Sequence, residues 1–292
     1  MVKQIKRSVP VVLVAFICLC LCWVAFRVVF ASPMVPSGGG GGQGSLPGAL
    51  IALGEVDGTA TFNVFGKNPD LADSTEETLW NQGGIYAFPT AARIHNIVSD
   101  ADEDNGETPD TGAQTVYIEG LDSNYDVISE VKTLDGTTPV ATANSYLRVH
   151  RLVVLTSGAT GTNEGTITAT AAVDATVSAA ITPGDGQQSQ LVFTVPNEKK
   201  AVLASLFWCY AHKEDISSSK EIVKLKLKIR PFGMSWRTLA DTSVDGSASS
   251  WSTYTFSAPL ALDPKTDIKI EATASAATLQ ASGTMDLFLV DQ

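Results

Sequence analysis

Along most of the chain, apolar and polar residues alternate with a period of two in short runs, and glycine, proline, asparagine, aspartate and threonine bound the runs. The clearest case spans 221–230, where Val223, Leu225, Leu227 and Ile229 alternate with Lys224, Lys226, Lys228 and Arg230. Such a run predicts a strand with one buried and one wet face. Similar runs predict strands at 59–65, 93–99, 114–119, 127–134, 146–155 and 165–171. After a turn-rich stretch at 181–189 they resume at 190–195, 201–210, 235–239, 251–256, 267–273 and 284–290. The one predicted helix covers 74–82, with Glu76 and Glu77 near its start. Strands joined by turns predict an all-β fold of two tandem β-sandwich or jelly-roll-like domains, 55–182 and 183–292.

The pattern is different in the first 54 residues. Lys3, Lys6 and Arg7 precede an apolar run at 9–26, and no acid occurs before Glu55. Residues 1–31 therefore read as a membrane-directing segment, with two readings open. A cleaved signal peptide fits Val29 and Ala31 ahead of Ser32 and Pro33. A retained anchor fits the length, because a span needs about 17–25 residues and the run reaches Phe30 when Arg27 snorkels. Residues 32–54 read as a flexible Gly/Pro linker that contains the glycine run 38–42. That slack would be superfluous behind a cleaved leader and useful behind an anchor.

Charge narrows the partners. With the four cations of residues 1–31 set aside, 16 of the 20 Lys and Arg remain against all 31 Asp and Glu, a formal charge of −15. A body this acidic has no general attraction for phosphate backbones, so nucleic acid is not expected as a partner. Cys18, Cys20 and Cys22 lie inside the apolar run, which leaves Cys209 as a single thiol beyond it, unable to form an internal disulfide.

Motifs for chemistry are sparse. The three histidines are His95, His150 and His212, and no nucleophile elbow accompanies them. No His or Cys pair has zinc-site spacing. The chain is therefore expected to be non-enzymatic and to need no cofactor, with one metal reading left open. The run 100–110 carries Asp100, Asp102 and Asp104, but its glycine is one place late for an EF-hand and Thr111 stands where the closing glutamate belongs. Either a calcium loop of another kind or a solvated acidic loop fits. Lys224, Lys226, Lys228 and Arg230 would stand about 7 Å apart on one strand face. They fit an electrostatic interface with an acidic neighbour, such as another copy, or a solvated face that blunts an edge. Trp236, Trp251, Tyr254 and Phe256 fit either core packing or a sugar platform.

Several stretches carry a resemblance: Gly112–Asp122 (GAQTVYIEGLD), Leu134–Val140 (LDGTTPV), Asn144–Arg151 (NSYLRVHR), 165–168 (GTIT), Arg230–Gly233 (RPFG) and 264–269. They resemble poorly characterised structural proteins of tailed phages and marine viruses, with the pattern GARTVxIxGLD…LNGTTPV…RVxR…GTIT over about residues 62–292. The resemblance implies a virion subunit (capsid-associated, decoration or appendage) whose partners are copies of itself and other virion proteins, and it carries no catalytic residue. Joined to the N-terminal segment, it implies membrane contact through residues 9–30 if uncleaved, at a virion or an extracytoplasmic surface. The alternative expectation is an exported cell-surface adhesin or glycan-binding β-sandwich protein.

Overall fold

The computed structural model describes residues 46–107, 110–212, 221–245, 250–276 and 279–292. The apolar run and the glycine run lie outside the described residues, and among those described no helix is long and apolar enough to cross a membrane. The chain divides into two compact units, Met1–Thr61 and Phe62–Gln292.

In the first unit, within the stretch expected to be linker, Leu46–Ala52 forms a short helix, α1. Gly54 ends it at φ +76°, where glycine has no Cβ penalty. The Glu55 amide then turns back to the Leu50 carbonyl at 2.9 Å.

The second unit is built from strands, which form four antiparallel sheets. In chain order they are β1 (Thr59–Asn68, entering this unit at Phe62), β2 (Glu76–Thr78), β3 (His95–Ser99), β4 (Ala113–Leu121), β5 (Val127–Thr133) and β6 (Val140–Ala141). Then follow β7 (Arg148–Ser157), β8 (Ile167–Ala171), β9 (Val177–Ile181), β10 (Val192–Thr194) and β11 (Lys199–His212). The last are β12 (Ile222–Arg230), β13 (Arg237–Asp245), β14 (Ser250–Leu262), β15 (Asp267–Ala274) and β16 (Leu279–Asp291).

Two large hydrophobic cores organise these sheets, and a smaller cluster of Trp80, Tyr86 and Val192, with Val177 packed on it, lies between them. The sheets β6-β3-β8-β9 and β5-β4-β7 enclose one core, built from Ile97, Val116, Ile118, Leu152, Ile167 and Ile181 among others. We call this the inner sandwich. The sheet β1-β16-β11-β14 packs on β10-β15-β12-β13, with β2 also on β15, around Leu203, Leu206, Leu225, Leu227, Ile270 and Leu287. This is the outer sandwich. The all-β class read from the alternation is the observed one.

The passage from one core to the other near residue 182 coincides with the turn-rich stretch. At its other end the outer sandwich also takes up Val64, Leu71 and Leu79, so the inner sandwich is nested between β2 and β10, and residues 55–182 do not all pack as one first domain ahead of a second. The expected helix at 74–82 is instead β2 and a turn. Ser74 takes φ +56°, and β2 pairs with β15, with Thr78 opposite Glu271. The pull of that strand edge outweighs a weak local helix preference.

The ladder between β4 and β7 carries an irregularity. Glu119 of β4 faces Arg151 of β7, while Gly120 faces Val149, so His150 is an extra residue in β7. Such a bulge breaks alternation and re-aims neighbouring side chains. Arg148, Val149 and His150 are accordingly all buried in succession. Gly120 permits the close approach, because a Cβ there would lie 1.9 Å from the Arg148 carbonyl oxygen. Gly120→Ala is expected to lower unfolding stability by about 1–3 kcal/mol, the usual cost of overpacking. It should be read as a lower urea midpoint with an unchanged slope.

Candidate functional site

The outer sandwich buries both faces of β15. Ile268, Ile270 and Ala272 point into the core, and the alternate positions carry Asp267, Lys269 and Glu271, each at most 6% exposed. Buried ionic groups are costly unless each finds a partner, so the partners define this region.

Asp267 binds two guanidinium groups. Its Oδ1 accepts from Arg148 Nη2 at 3.0 Å and from Thr194 Oγ1 at 2.6 Å. Its Oδ2 accepts from Arg230 Nε at 3.0 Å and Nη2 at 2.6 Å. Arg148 comes from β7 of the inner sandwich, where the bulge directs it outward, and its Nη1 also donates to the Pro89 carbonyl at 2.6 Å. One carboxylate thus ties the two sandwiches together.

Further along the same face, Lys228 lies directly opposite Lys269 across the β12–β15 ladder. Like charges in that position repel. Two carboxylates relieve them. Glu271 bonds Lys269 and lies 2.5 Å from Lys228 Nζ, while Glu76 of β2 receives Lys226 at 2.8 Å and Lys228 at 2.5 Å. Five cations (Arg148, Arg230, Lys226, Lys228 and Lys269) therefore meet three carboxylates. Aromatic faces take part of the excess. Arg230 and Lys269 lie 4.8 and 4.5 Å from the Trp236 ring centroid, and Arg148 and Arg230 lie 5.2 and 5.4 Å from that of Phe88.

These contacts shift titrations. Burial works against the Glu76 carboxylate, but hydrogen bonds from Lys226 and Lys228 and the Lys228 charge outweigh it and bring its pKa to about 2. Burial alone would lower Lys228, and Glu271 and Glu76 instead raise it.

The residues singled out from the sequence go to different places. Lys226, Lys228 and Arg230 turn to carboxylates of their own chain, half-buried where the alternation predicted a wet face; Lys224 is exposed. Asp100, Asp102 and Asp104 each serve a different bond. Asp104 is fully buried and accepts from the Ala113, Glu164 and Gly165 amides and the Ser99 hydroxyl, at 2.6–2.8 Å. Asp100 accepts from the Thr166 amide at 2.6 Å, and Asp102 from the Thr137 hydroxyl at 2.8 Å. Among the described residues no three His, Cys, Asp or Glu side chains are grouped to hold a metal ion.

Trp236 belongs to the charged face around Asp267, and the side chains of Trp251 and His212 lie outside the described residues. Cys209 is half-buried, with its Sγ 2.8 Å from the Ser282 hydroxyl. His95 is buried in the inner sandwich between the Arg93 carbonyl and Ser178, and burial lowers its pKa. The shared Asp267 was missed from sequence. Its signal was present in Asp267, Lys269 and Glu271, which alternate with apolar residues as the cations of β12 do. Elsewhere, a shallow cleft of about 390 Å³ is lined by Phe65, Lys67, Asp185, Gln187, Phe207 and Ser282, among others.

No protein-family model matches the chain, and no curated protein matches it. Among solved structures, infectious bursal disease virus of the Gt strain aligns at 10% identity over 81% of this chain and 73% of that chain, with a TM-score of 0.22. The VP2 subviral particle of the same virus aligns at 9% identity over 81% and 73%, with a TM-score of 0.21. The PBSX exported protein XepA aligns at 12% identity over 77% and 86%, with a TM-score of 0.18. These scores are too low to transfer a fold or a role to this chain.

Asp267→Ala leaves two guanidinium groups without their shared carboxylate and should cost about 3–5 kcal/mol, the range for breaking a buried pair. Lys199→Ala, which removes an exposed pair with Asp291, should cost about 0–1 kcal/mol. Chemical denaturation measures both. Glu76 is held below its ordinary value of 4.5, so its stabilisation is full above that pH and is lost as pH falls toward about 2. Glu76→Gln should remove that part of the acid-unfolding profile.

Proposed function

We propose that this chain is a non-enzymatic structural protein of a virus particle: a capsid-associated, decoration or appendage subunit directed to a membrane by its N-terminal segment. The observation that carries this reading is how the chain uses the residues on which its resemblance to virion proteins rests. Gly112 and Gly165 leave room for Asp104 and Asp100, whose carboxylates a Cβ would approach within 2.2 and 2.4 Å. Thr137, from the Leu134–Val140 stretch, fastens Asp102. Arg148 and Arg230 share Asp267. The shared pattern therefore marks brackets that hold a framework rather than groups offered to a substrate.

Such a framework also presents surface for assembly. β5 is an edge strand, and its outward row Val127, Ser129, Val131 and Thr133 is exposed and uncharged. Glu130 and Lys132 of the same strand alternate with this row and lie 3.9 Å from each other, so the outward row itself offers an uncharged surface for pairing between copies. The acidic body supplies repulsion that favours specific over indiscriminate contact. Sedimentation velocity of the full chain in detergent should show a discrete homo-oligomer that Val131→Lys weakens. A strict monomer across the accessible concentration range would overturn the reading.

A second reading, an exported glycan-binding protein, is favoured by the cleft. There Phe65 and Phe207 stand among Lys67, Asp185 and Gln187, and Phe207 is 38% exposed. Glycan-array binding that Phe207→Ala abolishes would decide for it.

A further inference from the structure

The bulge in β7 sends two side chains out of the inner sandwich, and the second is His150. It is 9% exposed, and Phe62, Phe193 and Thr194 of the outer sandwich pack against its ring. Its ring stacks on Phe193 with centroids 4.5 Å apart and meets the edge of Phe62 at 6.1 Å. Nε2 accepts the Thr194 amide proton at 3.2 Å, which assigns the ring proton to Nδ1. The bulge carbonyls are clamped from the same side: Gln188 Nε2 donates to the His150 oxygen at 2.5 Å, and Gln190 Nε2 to that of Val149 at 2.9 Å.

We propose that His150 is an acid-sensitive release for the junction between the two sandwiches, so that protonation of its ring unseats β7 from β10. A proton on Nε2 would turn the acceptor into a second donor facing the Thr194 amide, and the Thr194 hydroxyl is already held between Arg148 Nε and Asp267 Oδ1. It would also add a cation between Arg148 and Arg151 of the same strand. The nearby carboxylates are already committed. Glu119 of β4 lies 3.4 Å from Arg151, and Asp267 of β15 holds Arg148 and Arg230. The segment Val192–Thr194 of β10 and Phe62 of β1 bring no charge.

Burial first, then the charges of Arg148 and Arg151, push the ring's pKa down to about 3 from the ordinary 6.5. Opening the junction rehydrates the ring and restores the ordinary value. The closed form is therefore favoured above 6.5, and acid favours the open form as pH falls from there toward 3. His95 differs, because its Nε2 faces the Ser178 hydroxyl, which can reverse its role and accept.

Hydrogen–deuterium exchange of the full chain, corrected for intrinsic exchange rates, tests this. Between pH 7.5 and 5.0, protection of the Thr194 amide and of residues 148–154 should fall about 30-fold, the ratio expected when the open state titrates at 6.5 and the closed state near 3. His150→Gln keeps an acceptor without a titration, and the pH-dependent loss should disappear in it while persisting in His95→Gln. An unchanged wild-type protection, or the same loss in His150→Gln, overturns the proposal. Should His150→Gln not fold, the wild-type imidazole resonances decide: titration near 6.5 in the closed protein overturns the release, and a ring still neutral at pH 5 in closed molecules upholds it.

Discussion

The carboxylate of Asp267 is the contact on which the arrangement of the two sandwiches depends. It lies on a strand of the outer sandwich, and one of its two guanidinium partners comes from the inner. Each sandwich has its own hydrophobic core, and a smaller cluster of Trp80, Tyr86 and Val192 joins them through Val177 of β9, but apolar contact is non-directional and by itself specifies their mutual placement only loosely. Arg148 donates from Nε and Nη2 to one oxygen of Asp267, and this directional contact sets that placement, because guanidinium and carboxylate meet well in few orientations. Buried ion pairs add little net stability against an apolar alternative. Their contribution here is to make one docking geometry satisfied and its neighbours unsatisfied.

The face around Asp267 shows how an acidic protein houses a local excess of cations. Strand alternation places charges on β12 and β15 side by side, and the direct cross-strand neighbours include Lys228 with Lys269. Relief comes from β2, whose Glu76 joins the strand order far from its sequence neighbours, and from rings of Phe88 and Trp236. The short strand at residues 76–78 therefore brings charge to the face rather than area to the core, which accounts for a strand where the local sequence favours a helix.

Alternation made much of this legible beforehand. The strands at 93–99, 114–119, 221–230 and 267–273 were readable because one side chain in two enters a core. β6 and β9 were not read, the first for its two residues and the second because the small side chains of Ser178, Ala179 and Ala180 blur the pattern. The nesting of one sandwich within the other was illegible, because pairing of β1 and β2 with strands some 200 residues away leaves no local mark. Among candidate residues, the sequence showed that Asp104 and Arg230 stood out by charge. It could not show that each faces inward, since a carboxylate bonded by four donors and one bonded to calcium look alike in one dimension.

The same nesting dictates an order of events as the chain is made. Among the described residues the core of the inner sandwich runs from Ile97 to Ile181, one stretch of chain whose contacts close early. The outer sandwich needs β16, at residues 279–291, to sit between β1 and β11. Until then the apolar faces of β1, β11 and β12 have no complete partner. A ribosome would thus display one finished body beside an open, sticky half-shell, and a chain stalled short of β16 would be prone to aggregate through those uncovered faces.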